Sequence, residues 1–261
     1  MYSFISSFNA KLYHEYGHNF LSSWQKNCGP DIKLYIFFEG EGIEEVQKDF
    51  QSESIIIQPI DSPLLNEFKL KFGQFKEANG FRFDISPENK LSMKYNYRYD
   101  AMRFSFKAFS IYRAVFEFNI KNKIAWIDSD VICKKYFDID SLTDIFPDQN
   151  EISSYLGRSS FPKPNAYSEC GFVGYNLDHK DAINFLSEFI NLYLNGDIFR
   201  LIEWHDCMAY DYVRSQYESQ GHAFKNLSGE FTTSDHPFIL TKLGDFFDHL
   251  KGPVRKQRGF S

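Results

Sequence analysis

The sequence predicts an α/β fold: a mostly parallel central sheet with helices on both faces, built as a single domain over residues 1–261. Three observations lead there. Short apolar runs alternate with stretches of helical periodicity, the pattern left by strands joined through crossover helices. The chain has 261 residues, 43% hydrophobic and 25% charged, enough for one large core without a second domain. One apolar run, residues 124–127, ends in Asp128-Ser129-Asp130, which places two carboxylates at a strand's C-terminal end, where open α/β sheets bind ligands.

The elements follow in order. Residues 2–8 read as the first strand, and Asn9 begins a helix to about residue 26. Residues 33–38 and 54–58 make two more strands, with a helix over 43–50 between them. Residues 63–98 start helical and then turn polar, with Gly, Pro and Asn, and are expected to hold a loop over the site. From Asp100, a residue suited to the positive end of a helix, Ala101, Phe104, Ala108, Ile111 and Val115 recur at helical spacing, while Arg103, Lys107 and Ser110 project elsewhere. Beyond the aspartates, 152–156 and 170–175 read as strands. Gly171 and Gly174 interrupt the second of them, and glycine inside a strand marks a close backbone approach or a bulge. A structural helix then carries Ile183, Leu186, Phe189, Ile190 and Tyr193 on one face. Glu203-Trp204-His205-Asp206-Cys207 leads into a last long helix with Met208, Tyr212 and Val213 inward. Asp206 there is either a helix cap or a group aimed at a substrate hydroxyl.

Composition excludes several classes. A net charge of -6 argues against nucleic-acid binding, so an anionic ligand has to be met by a local site. Cys28, Cys133, Cys170 and Cys207 form no Cys-x-x-Cys pair, which points to free thiols in a reducing compartment. No run reaches the roughly 20 apolar residues that span a bilayer, and the first residues lack the basic start and apolar centre of a signal peptide. The expectation is a soluble cytoplasmic protein with room for peripheral membrane contact.

Two acidic oxygens at a sheet edge suit a hard divalent cation that also takes phosphate oxygens; the bland reading is a solvated strand end. A second motif shifts that balance: His249-Leu250-Lys251-Gly252-Pro253-Val254-Arg255-Lys256. Asp-x-Asp after a central strand, followed much later by His-x-x-Gly-x-x-basic, resembles the metal and diphosphate site of GT-A glycosyltransferases. In motif it is nearest to the glycogenin and bacterial galactosyltransferase-like branch, although that branch continues with Lys-Pro-Trp where this chain reads Arg255-Lys256-Gln257.

The resemblance implies a GT-A, Rossmann-like domain in which Asp128, Asp130 and His249 hold a metal. It makes Gly252 the glycine that lets backbone approach a diphosphate, with Lys251, Arg255 and Lys256 as its basic contacts. Arg103 and Lys107 would face the nucleotide-sugar, with a solvated helical face as the equal alternative. Glu169 and Asn176 would lie beside donor sugar and acceptor, with turn chemistry at least as good a reading of Asn176. Asp206 would serve the acceptor side. His236 is a second possible metal ligand, and His249 is preferred because the glycine and basic residues follow it.

The implied reaction moves a sugar from a nucleoside diphosphate sugar, with UDP the first choice of base, to a hydroxyl of a glycan or glycolipid. Mn²⁺ or Mg²⁺ would be the cofactor, one imidazole tilting the choice toward Mn²⁺, and the branch implies retention of configuration. Two rivals remain. A metal-dependent phosphohydrolase or nucleotidyltransferase would need more carboxylates or histidines near the pair, where the sequence offers Asp138 and Asp140. A non-catalytic sugar-nucleotide-binding protein would use the same fold without turnover.

Overall fold

The computed structural model describes residues 2–85, 91–158, 167–228 and 236–251. Among them run strands β1 (Tyr2–Asn9), β2 (Ile32–Glu39), β3 (Ile55–Pro59), β4 (Phe81–Ile85), β5 (Leu91–Tyr95), β6 (Lys123–Ile127), β7 (Val131–Cys133), β8 (Glu151–Tyr155), β9 (Phe172–Asn176), β10 (Ala223–Asn226) and β11 (Phe247–His249). Seven form the central sheet in the order β10-β8-β9-β6-β1-β2-β3. Its pairs are parallel except where β9 lies antiparallel between β6 and β8. The fold is therefore α/β with a mostly parallel sheet.

Topology places the site. The chain runs outward from β1 to β2 and β3, then returns to lay β6 along the other side of β1. That reversal opens a crevice outside the C-terminal ends of β1 and β6, where doubly wound sheets take ligands. The side chains of β6 alternate as a strand buried on both faces requires. Ile124 and Trp126 enter one apolar layer with the Ala101–Tyr112 and Ala182–Leu194 helices. Ala125 and Ile127 enter the opposite layer with Phe4, Trp24, Phe146 and Phe247.

Local chemistry sets the helix starts. Asn9 accepts a hydrogen bond from the Leu12 N–H, Ser62 from Leu65 ahead of Pro63, and Asp100 from Arg103. Asp138 and Ser141 form a reciprocal capping box on a short helix. After β1 the helix continues through a π-helical turn, Tyr13–Gly17, into His18–Asn27.

Several expectations need correction. Segment 63–98 begins, as expected, with a helix, Pro63–Phe72, but where a loop was expected its later described residues form the β4–β5 ribbon, whose pairing Phe81↔Tyr95 and Phe83↔Met93 puts apolar side chains on one face. Ile183 and Tyr212 lie outward, 39% and 40% exposed. The last long helix, Asp206–Ser219, instead buries Ala209, Tyr210, Val213 and Tyr217, together with the ion pair Asp211–Arg214. Gly174 approaches Ser154 on β8, where a Cβ would lie 2.5 Å from its hydroxyl oxygen. Asn176 donates to the Asp148 and Gln149 carbonyls and accepts from the Asp178 N–H. It pairs with Lys123, at the end of β6 away from Asp128, and is a turn residue.

Phe4 is fully buried and its ring meets Trp24, Phe146, Phe172 and Phe247, so it ties β1 to the first helix and to the C-terminal strand. Phe4→Ala should lower unfolding free energy by about 3–5 kcal/mol, read from the shift in a denaturant midpoint.

Candidate active site

β6 ends at Ile127 and the chain turns through Asp128 and Asp130 into β7. β11 pairs antiparallel with β7, setting His249 opposite Val131. The Leu250 N–H donates to the Asp130 carbonyl at 2.8 Å, and the Asp128 N–H to that of Gly171 at 2.9 Å. The result is a cluster in which ligand atoms of Asp128, Asp130 and His249 all lie within 4.8 Å of one another. His249 Nε2 is 3.0 Å from Asp130 Oδ1 and 3.8 Å from Asp128 Oδ2.

Gly171 makes room for that imidazole. A Cβ there would stand 2.8 Å from His249 Cε1 and 3.1 Å from Nδ1. The other walls of the imidazole are aromatic: its ring centre is 4.8 Å from that of Phe238 and 5.2 Å from that of His236. Burial alone would lower the pKa of His249, but Asp130 and Asp128 outweigh it and raise the pKa.

Lys107 lies beneath the carboxylates. Its ammonium is paired with Asp206, stands 3.4 Å from Asp128 Oδ1 and donates to the Cys170 carbonyl at 2.7 Å. Burial alone would push Lys107 down, yet Asp128 and Asp206 hold it charged. Asp206 is almost fully buried; burial would raise its carboxyl, and Lys107 holds it below the ordinary range. The cap of its helix is His205, whose Nδ1 accepts from the Met208 N–H at 3.3 Å. An accepting Nδ1 leaves the imidazole proton on Nε2, which lies 2.9 Å from Glu203 Oε2. Asp206 is thus the first helical residue and half of a buried ion pair, not the cap.

Glu169 is buried just ahead of β9, ion-paired with Lys251 and 3.4 Å from Arg158 Nη2. Burial would raise its pKa, but Lys251 and His249 hold it down to about 2. The exposed Arg103 lies toward Tyr95 and Tyr16, one turn before Lys107 on the same helix. Gly252, Arg255 and Lys256 lie outside the described residues.

Sequence reasoning missed three contributors. Tyr16 is buried on the π-helical turn after β1; burial, then Asp130 and Asp128, push its phenol above the ordinary range. Parallel pairing of β1 with β6 was the available signal, since it puts the turns after both strands on one edge. Asp211, fully buried, accepts from the Ser168 N–H at 2.7 Å and the Ser168 hydroxyl at 2.6 Å, fixing the residue before Glu169. Trp126 donates its indole N–H to Asp128 Oδ1 at 2.6 Å.

The fold is similar to those of solved glycosyltransferases. A glycosyltransferase involved in the glycosylation of the major capsid of PBCV-1 aligns with a TM-score of 0.51 at 13% identity, covering 100% of this chain and 99% of that chain. The WbbM bifunctional glycosyltransferase aligns with a TM-score of 0.53 at 13% identity, over 96% of this chain and 46% of that chain. No protein-family model and no curated protein sequence matches the chain. At such identities the likeness establishes a GT-A-like α/β fold, while chemistry has to be read from the residues.

The depressed pKa of Glu169 carries a pH signature. A carboxyl at about 2 in the folded chain, against an ordinary 4.5, contributes stability that is fully present above 4.5 and is lost as pH falls toward 2. In that window the unfolding free energy of Glu169→Gln should depend less steeply on pH than the wild type's, by up to about 1.4 kcal/mol per pH unit. Equal slopes in acid titrations of denaturant stability would mean that Glu169 is not held ionised.

Proposed function

We propose that the chain is a metal-dependent glycosyltransferase that moves a sugar from a nucleoside diphosphate sugar, UDP being the preferred base, to a hydroxyl of a carbohydrate or glycolipid acceptor. The observation that carries this reading is the convergence of Asp128, Asp130 and His249 at the topological switch point of a GT-A-like sheet.

The donor set fits a divalent cation. Two carboxylates and one imidazole suit Mn²⁺ or Mg²⁺, with the nitrogen favouring Mn²⁺, and the bare face of Gly171 lets the imidazole reach that position. The bound cation would neutralise negative charge that develops on the diphosphate as the sugar bond breaks. Everything else falls to the chain. His249 reaches the carboxylates through Nε2, Lys107 holds Asp128 and Asp206 from beneath, and Asp211 fixes the backbone ahead of Glu169.

Lys251 follows β11 and is half-exposed, so its ammonium can leave Glu169 for the oxygens of a diphosphate. That exchange would free a carboxylate already held ionised, and it makes Glu169 the stronger candidate to act on the sugar or its acceptor. Asp206 is committed to Lys107 and is better suited to shaping the acceptor side. Arg103, exposed and near Tyr95 and Tyr16, would meet the nucleotide.

The rival phosphohydrolase or nucleotidyltransferase reading needs further acidic ligands beside the first pair. Among the described residues Asp138 is occupied in its capping box, and the other candidate cluster, Cys170, Asp206 and Cys207, already holds Lys107 on its carboxylate.

A thermal-shift screen of UDP-, GDP-, CMP- and dTDP-sugars with Mn²⁺ should single out one donor class, since a ligand of the folded state raises its melting temperature. Hydrolysis or transfer of that donor should require Mn²⁺. Asp130→Ala should lose at least a hundredfold in that turnover while keeping its melting temperature within a few degrees, because Asp130 lies outside the apolar core. Full turnover by Asp130→Ala at limiting Mn²⁺ would overturn the metal assignment.

A further inference from the structure

We propose that Trp126 is a positioning residue for the cation: its indole N–H, together with the Lys107 ammonium, occupies Oδ1 of Asp128 and leaves Oδ2 as the oxygen turned to the metal. This rests on the metal-dependent reading above. The geometry is specific. Trp126 lies on β6 and Asp128 is the first residue beyond it, two positions on, close enough for their side chains to meet. The indole N–H reaches Asp128 Oδ1 at 2.6 Å, and Lys107 Nζ stands 3.4 Å from the same oxygen. The other oxygen, Oδ2, is the one turned to His249, 3.8 Å from Nε2. One carboxylate is thereby divided, one oxygen for the protein and one for the site.

Division matters because a carboxylate that can rotate offers a cation either oxygen, or both, in many arrangements. A carboxylate pinned through Oδ1 offers one. Hydrogen bonds of this kind to a ligating group commonly govern metal affinity by 10- to 100-fold when removed. Trp126 is also anchored where a positioning residue has to be rigid: it is almost fully buried, and Lys107 lies over its ring 4.9 Å from the centroid. Lys107 thus fixes both the donor and the acceptor of the bond. An apolar strand residue would need only the ring, so an indole that spends its N–H on Asp128 adds a function that a phenyl group cannot supply.

The test is Mn²⁺ binding to the full chain, followed by electron paramagnetic resonance of free Mn²⁺ and by calorimetry, with no donor present. Trp126→Phe keeps an aromatic ring in the core and removes the N–H; it should weaken Mn²⁺ binding by roughly 10- to 100-fold. Should the smaller ring unfold the chain, replacing the indole of Trp126 by benzothiophene keeps the two-ring shape without the donor, and the same loss is expected. Wild-type binding with both replacements within twofold of it would overturn the proposal while leaving the metal site standing. Absence of Mn²⁺ binding in the wild type would overturn the metal reading itself, and this inference with it.

Discussion

The site depends on one short antiparallel pairing, that of β11 with β7. His249 and Asp130 are 119 residues apart in sequence, and three residues of strand on each side bring them together. Closing so long a loop carries an entropic cost that the polar groups of the site do not offset. Apolar packing does. Phe247 is fully buried, against Phe4, Trp24 and Phe137, and the Lys134 N–H donates to the Phe246 carbonyl at 2.7 Å. Phe247 and His249, two residues apart, share a strand face, so the register that buries the phenyl ring also turns the imidazole inward. A slip of one residue would send both outward.

Charge balance is the second constraint. Asp128, Asp130, Glu169 and Asp206 crowd one sheet edge in a chain whose net charge is already -6. Burying them is tolerable because Lys107 is shared between Asp128 and Asp206 and Lys251 is paired with Glu169; uncompensated, each buried charge would cost several kcal/mol. The two lysines differ in exposure, and that difference separates their roles. Lys107 is enclosed and has nowhere else to go. Lys251 is half-exposed and can exchange its carboxylate for another anion.

Much of this was legible in the sequence, for identifiable reasons. Asp128 and Asp130 could be placed because an apolar run that ends in acids has few readings other than a strand meeting the sheet edge. The first strands and the helix opened by Asp100 followed from periodicity and capping. The 63–98 ribbon was illegible because β4 and β5 are each five residues long, too short for alternation to stand out from a polar background. Tyr212 and Ile183 were assigned inward because they are apolar, although the helices they sit on turn other faces to the core. Asp206 at a helix start left open a cap or a substrate-facing group; the cap is the neighbouring His205, through its ring nitrogen. Lys107 was legible as a residue near the site but not as a buried one, since nothing in a sequence reveals that two distant carboxylates will meet one ammonium. Trp126 looked like core because the feature that distinguishes it, the direction of its N–H, is not a property of composition.

Under the proposed function, cation and anion recognition would be joined through the same strand. His249 ends β11 and Lys251 stands two residues beyond it, its N–H donating to the His249 carbonyl at 2.8 Å. A group that brings a divalent cation to the aspartates and a diphosphate to the lysine would therefore act on both ends of one tripeptide turn. On that reading, a cation would engage His249 together with Asp128 and Asp130, and a diphosphate would compete with Glu169 for Lys251, while the Leu250 N–H holds the backbone between them to the Asp130 carbonyl. In an acidic chain that repels anions at a distance, such coupling would give a sugar nucleotide a local foothold, each half of the ligand helping to order the residue that the other half needs.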